Sequence, residues 1–106
     1  MVSFDEWQRL DIRVGEVKRA EPVPETDRLL KLTVNIGEEE RTMVAGIARE
    51  YPPKQLVGRK LLVLANLEPK VLRGIESKGM ILAAMDKGRP VVVGPEKDVP
   101  AGSKIM

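Results

Sequence analysis

The chain contains no cysteine and no histidine. Without thiols there is no disulfide framework, no thiolate nucleophile and no thiolate metal site. Without imidazole the commonest metal ligand and the commonest general base are missing. Aromatic residues are almost as scarce: Phe4, Trp7 and Tyr51 are the whole set, too few for the run of stacking platforms on which single-stranded nucleic acid is held. Amide side chains are limited to Gln8, Asn35, Gln55 and Asn66. With the high charge density and many prolines, that composition resembles heat-adapted proteins. No apolar run approaches the roughly 20 residues needed to cross a bilayer, and the N-terminal MVSFDEWQRL carries acids where a signal peptide carries basic and then apolar residues. The expectation is a cytoplasmic protein with no cofactor, no metal and no membrane partner.

What is present is enough for one hydrophobic core. At 106 residues, 42% hydrophobic and 32% charged, the chain fits a single folded domain and is too short for two. An enzyme is not indicated. Glu38, Glu39 and Glu40 fall in a polar turn open to water, where carboxylates keep ordinary acidity, and Ser3, Ser77 and Ser103 have no histidine to activate them. The net charge of +2 hides an asymmetry. Residues 54 to 89 hold eight lysines and arginines against three carboxylates, net +5, and the remainder is net −3. A basic half on a nearly neutral protein points to a polyanionic partner meeting one face. The alternative is that these lysines merely solvate a barrel.

The periodicity is that of strands. Ser3 and Glu6 form a capping-box signature with Phe4, Trp7 and Leu10 at helical spacing, predicting a short helix over residues 4 to 9 whose apolar edge covers the core. Ile12, Val14 and Val17 predict a first strand, bulged at Gly15 and ended by Pro22 and Pro24. Leu30, Leu32, Val34 and Ile36 alternate with Lys31, Thr33 and Asn35, which places Lys31 on an outer face. The turn at Gly37 to Glu40 returns a strand over Arg41 to Ile47, and Ala48 to Gly58 reads as a helical crossover stopped by Gly58. Leu61 to Leu67 reads as a strand buried on both faces, Glu68 to Lys78 as a charged connection, and Gly79 to Met85 as a further strand. Val91 to Val93 and Val99 to Met106 complete the pattern with short β-like pieces. The fold class is therefore all-β: a five-stranded oligonucleotide-binding (OB) barrel with a short N-terminal helix, a crossover helix and a C-terminal β extension, forming one domain over residues 1 to 106. A generic small β-barrel is the alternative.

At NLEPKVLRGIESKGMILAA, residues 66 to 84, the chain resembles the tRNA-binding domain found at the C-terminus of many methionyl-tRNA synthetases, in tyrosyl-tRNA synthetase extensions, in cytokine-like synthetase cofactors and in stand-alone tRNA-binding proteins. The resemblance runs through LDIRVGEV (10 to 17), TDRLLKLTVNIGEEERTMVAGIA (26 to 48) and QLVG (55 to 58). It implies an OB barrel that binds tRNA by its folded outer corner with little dependence on sequence, in support of aminoacylation. It also implies a homodimer when the domain stands alone, and association with a methionyl-tRNA synthetase catalytic chain. Carried over by position, Lys31, Asn66, Lys70, Arg73, Ser77 and Met80 resemble the RNA-facing set, with Arg41 and Lys78 placed to support it. The chain departs from the family's habit at Val23-Pro24, Thr26-Asp27, Val71 and Lys78, where His-Pro, Ala-Asp, a second basic residue and a glutamine are frequent.

Physical chemistry weighs these positions separately. Lys31, Lys70, Arg73 and Lys78 suit phosphate neutralisation, which releases counterions and makes affinity fall with salt. Asn66 serves either RNA or a strand-end backbone. Ser77 donates either to a phosphate or to the turn before Gly79. Met80 belongs either to the core or to a ribose or base contact. Gly15, Gly46, Gly74 and Gly79 read as backbone devices. The paucity of aromatics favours recognition of a folded RNA by shape and backbone. A peptide-binding secretion chaperone of the same barrel and dimer is the rival reading, with Val91 to Val93 and Val99 to Met106 apolar enough for a symmetric interface. A Met1 start and completed last strands suggest a whole protein rather than a fragment.

Overall fold

The computed structural model describes residues 1–106. Its first element, α1 (Phe4–Gln8), is held by reciprocal capping. The Ser3 hydroxyl accepts from the Glu6 N–H at 3.1 Å, and the Glu6 carboxylate accepts from the Ser3 N–H at 3.0 Å. The predicted covering of the core by this helix does not occur. No α1 residue is buried and Phe4 is 69% exposed, because fewer than two turns cannot lay a continuous apolar stripe on the barrel.

The barrel follows. β1 (Ile12–Pro22) is long and bent, pairing with β4 (Lys60–Leu64) over Ile12 to Glu16 and with β2 (Leu30–Asn35) over Glu16 to Pro22. The irregularity between its two halves lies at Val17 to Arg19, not at Gly15. Gly15 pairs in register with Leu61 and lacks a side chain for a different reason: a Cβ there would sit 2.6 Å from a Val34 methyl. β2 pairs with β3 (Glu40–Ala45), and α2 (Pro53–Leu56) then crosses to β4, burying Leu56 completely and ending at the extended Val57; Gly58, at φ +89°, supplies the positive φ of the turn that follows, closed by Arg59 N–H on the Leu56 carbonyl.

The segment expected as a charged connection is a hairpin, β5 (Lys70–Leu72) with β6 (Ile75–Ser77). The predicted strand over Gly79 to Met85 divides into β7 (Met80–Ile81), which pairs with β4, and β8 (Ala83–Asp86), which pairs with β9 (Arg89–Val92). Leu82 hands the chain over: its N–H donates to the Leu62 carbonyl of the barrel and its carbonyl accepts from Val93. The same packing explains why β4 reads as buried on both faces. Leu61 and Val63 point into the core, and Leu62 and Leu64 are half-covered from outside.

The resulting antiparallel sheet has the order β3-β2-β1-β4-β7 and is nearly closed. Lys78 N–H donates to the Thr42 carbonyl at 2.8 Å and Val44 N–H to the Ser77 hydroxyl at 2.9 Å, bringing the two edges together. Val17, Leu30, Leu32, Val34, Ile36, Met43, Leu61 and Val63 fill the interior, each large aliphatic contributing about 1.5–3 kcal/mol. This is the all-β OB-like barrel expected. The C-terminal residues add to the edge of β1: Gly102 N–H donates to Val14 and Ile105 N–H to Ile12. A Cβ on Gly102 would meet Gly37 Cα at 2.7 Å, so only glycine permits that approach.

Candidate nucleic-acid interface

Because β5 and β6 fold over the outer face of β3, a groove of about 670 Å³ opens between that hairpin and the β2–β3 ribbon. Lys31, half-buried by the alternation of β2, lines it and makes no ion pair. Arg41 and Lys78 line it too, but each faces a carboxylate: Arg41 Nε lies 2.7 Å from Glu39 and Lys78 Nζ 3.7 Å from Glu76. With Glu40 also in the wall, the groove holds three cations and three anions. It is a polar channel that can exchange hydrogen bonds with ribose and base edges, not a simple phosphate trap.

The unpaired cations stand on the hairpin above it. Lys70 and Arg73 are exposed and make neither an ion pair nor a side-chain hydrogen bond. Arg73 occupies the turn between β5 and β6 with φ +52°, followed by Gly74 at +80°. A left-handed arginine stores backbone strain, yet the side chain it projects is free. Arg73 and Leu72 also wall a second cleft, of about 680 Å³, against Glu25, Thr26, Asp27, Arg28 and Leu29 of the β1–β2 loop. The hydrogen bond from Arg49 holds the Asp27 pKa below the ordinary carboxylate value, so this carboxylate is already matched.

The remaining site residues are placed differently. Asn66 is exposed, but its carbonyl accepts from the Asp11 N–H at 2.9 Å and its amide donates to the Arg9 carbonyl at 2.7 Å. Of its two readings, the strand-end amide has these bonds behind it. Ser77 is only 6% exposed, accepts from Val44 N–H and donates to the Gly79 carbonyl at 3.1 Å. Both uses are internal, and the hydroxyl is committed to the barrel seam. Arg41 also donates to the Ala65 carbonyl, tying β3 to the end of β4. Met80 is 43% exposed and borders a shallow apolar cleft with Val44, Ile47, Ala83 and Pro90.

Sequence reasoning missed Pro69, Ile75 and Glu76 in the groove's walls because it took residues 68 to 78 as an open connection, and missed Thr42 and Leu67 although it placed both in strands. It also missed Arg28. No aromatic lines either cleft: Tyr51 is occupied by the Val92 N–H at 3.0 Å and by the Arg59 guanidinium stacked 5.7 Å from its ring centre. No cluster of three or more carboxylates offers a metal site, and no helix is long and apolar enough to cross a membrane.

The family described as "Putative tRNA binding domain" matches residues 12–104, nearly the entire chain. The chain belongs to this tRNA-binding domain family. It is 51% identical over 106 residues to a methionine–tRNA ligase of Deinococcus radiodurans, an alignment that covers 99% of the chain and 16% of the ligase. The chain thus spans about one sixth of the length of the curated relatives it matches. Among solved structures it superimposes on a MetRS-related protein from Pyrococcus horikoshii with a TM-score of 0.94 and 38% identity, covering 100% of this chain and 98% of that one. The chaperone CsaA of Bacillus anthracis follows at 0.91 and 30%, covering 100% and 99%. A tRNA-binding domain is a binding module rather than a catalytic one.

Proposed function

We propose that the chain binds folded tRNA by shape and backbone, with little dependence on sequence, and thereby supports aminoacylation as the tail or separate β subunit of a methionyl-tRNA synthetase. The observation that carries this reading is the set of cations without ion partners, Lys31, Lys70 and Arg73, flanking a polar groove that contains no aromatic, in a chain of this family. Lys31, Lys70, Arg73 and Lys78 supply phosphate contacts. Arg41 and Ser77 hold the walls, Asn66 secures the end of β4 against the start of β1, and Met80 packs against ribose at the edge. The module itself is non-catalytic, works in the cytoplasm and acts as a homodimer. Cofactor and metal have no part in this reading.

Electrophoretic shift of unfractionated tRNA at two salt concentrations tests it. Binding of about micromolar strength, falling steeply with salt, is expected. No shift at low salt, or equal retention of unstructured poly-pyrimidine, would sink it.

The peptide-chaperone reading draws on the likeness to CsaA and on an apolar cleft of about 270 Å³ between α1 and the C-terminus, lined by Phe4, Trp7, Leu10, Ile105 and Met106. Retention of an unfolded apolar peptide that tRNA does not displace would favour it.

A further inference from the structure

The two hairpins outside the barrel share an unusual turn. The pairs Leu72↔Ile75 and Asp86↔Arg89 close them, so each loop is two residues long: Arg73-Gly74 in one and Lys87-Gly88 in the other. All four residues have positive φ, at 52°, 80°, 50° and 82°. Loops of this type suit the strand twist only when both central residues are left-handed, and their ordinary occupants are Asn-Gly, Asp-Gly or Gly-Gly. A long cationic side chain in the first position costs backbone strain. The fold accepts that cost twice, with the same charge each time.

The β8–β9 tip resembles the β5–β6 tip in charge state as well. Lys87 and Arg89 flank Gly88, are exposed, and form no ion pair although Asp86 is adjacent. Arg28 links the tips in space. It lines the cleft that Arg73 walls and also a cleft of about 400 Å³ bounded by Arg49, Glu50, Met85 and Gly88. Its guanidinium has no ion partner. Of the carboxylates along this path, Asp27 is taken by Arg49, which leaves Glu25, Glu50 and Asp86 against Arg73, Arg28, Lys87 and Arg89.

We infer that the β8–β9 hairpin is a second contact with the RNA backbone, in which Lys87 and Arg89 meet phosphates and Arg28 continues the contact from the Arg73 tip. This rests on the tRNA reading and deepens it: the RNA is gripped at two separated runs of backbone, one per hairpin, and the lysine, arginine and glycine choices at both tips serve that grip. At both tips an exposed cation stands where an asparagine would satisfy the turn without adding charge.

The test uses unfractionated tRNA titrated at several salt concentrations against the unmutated chain, Arg73→Asn, the pair Lys87→Asn with Arg89→Gln, and Arg28→Gln. Asparagine suits the left-handed position, so melting temperatures should hold or rise. The double variant is expected to bind about tenfold more weakly at low salt, with a log-log salt slope smaller by about two, and Arg28→Gln to lower the slope by about one. If the unmutated chain binds and Arg73→Asn weakens it, while the double variant and Arg28→Gln match the unmutated chain, the second contact is overturned and the tRNA reading stands. If the unmutated chain binds no tRNA, both fall.

Discussion

The Val44 N–H donates to the Ser77 hydroxyl across the seam where the barrel closes, at 2.9 Å, and that hydroxyl in turn donates a hydrogen bond to the Gly79 carbonyl. A side chain here replaces the backbone ladder that two edge strands would otherwise form. Ser77→Ala leaves a partly buried N–H without a partner, a loss of about 1–3 kcal/mol, or roughly 5–15 °C in melting temperature. tRNA affinity measured well below the transition should be nearly unchanged. Weaker binding at unaltered melting temperature would instead make Ser77 a contact.

Asn66 performs a similar task at the other end of β4. Its two bonds, to Asp11 N–H and the Arg9 carbonyl, fix the passage from α1 into β1. Asn66→Ala should cost about 1–2 kcal/mol by chemical denaturation, and Asn66→Asp, which keeps the acceptor and loses the donor, should fall between it and the natural residue. Equal stability of all three would mean that the tie contributes nothing.

How far the site could be read from sequence depends on what each signal depended on. The alternation Leu30 to Ile36 put Lys31 on the outer face, and it lines the groove there, because a period of two is a local property of strands. Three-residue strands such as β5 and β6 carry too little periodicity to register, and Arg73-Gly74 lacks the asparagine that announces a two-residue turn. The burial of Ser77 is set by which strands meet at closure, and no short window of sequence contains both Ser77 and its partner Val44, 33 residues apart; the pairing of Arg41 with Glu39 is local and was within reach of the sequence. Likewise, the bulge fell at Val17 to Arg19 rather than Gly15 because a strand glycine is equally explained by a neighbour's methyl.

Arg73→Asn separates fold from binding in the opposite direction from Ser77→Ala. Asparagine tolerates φ near +52° better than arginine does, so stability should rise by a few tenths to about 1 kcal/mol. Affinity should fall by a similar factor for every tRNA tried, since a phosphate contact carries no sequence. Titrating three purified tRNAs checks this, and strong selectivity in the loss would show that Arg73 reads bases.

Acid stability should depend on Asp11. Its carboxylate accepts from Arg13 Nε at 3.0 Å and from Lys104 Nζ at 3.0 Å, while Arg13 reaches on to Glu38 at 2.7 Å. These contacts join the C-terminal segment, β1 and the β2–β3 turn. The Arg13 hydrogen bond, opposed by partial burial and aided by Lys104, lowers the Asp11 carboxyl from 3.8 to about 2. A carboxyl depressed in the folded state adds stability that is fully present above its ordinary value and disappears as pH falls toward the folded one. The window is therefore about pH 4 down to 2, and the contribution at neutral pH is about 2 kcal/mol. Denaturation of the natural chain and of Asp11→Asn across that range should give curves separated by this amount at pH 7 that close most of the gap by pH 2, where the folded carboxyl is about half protonated, and converge below it. Curves that stay parallel to pH 2 would show that the clasp is held by Arg13 and Glu38 without Asp11.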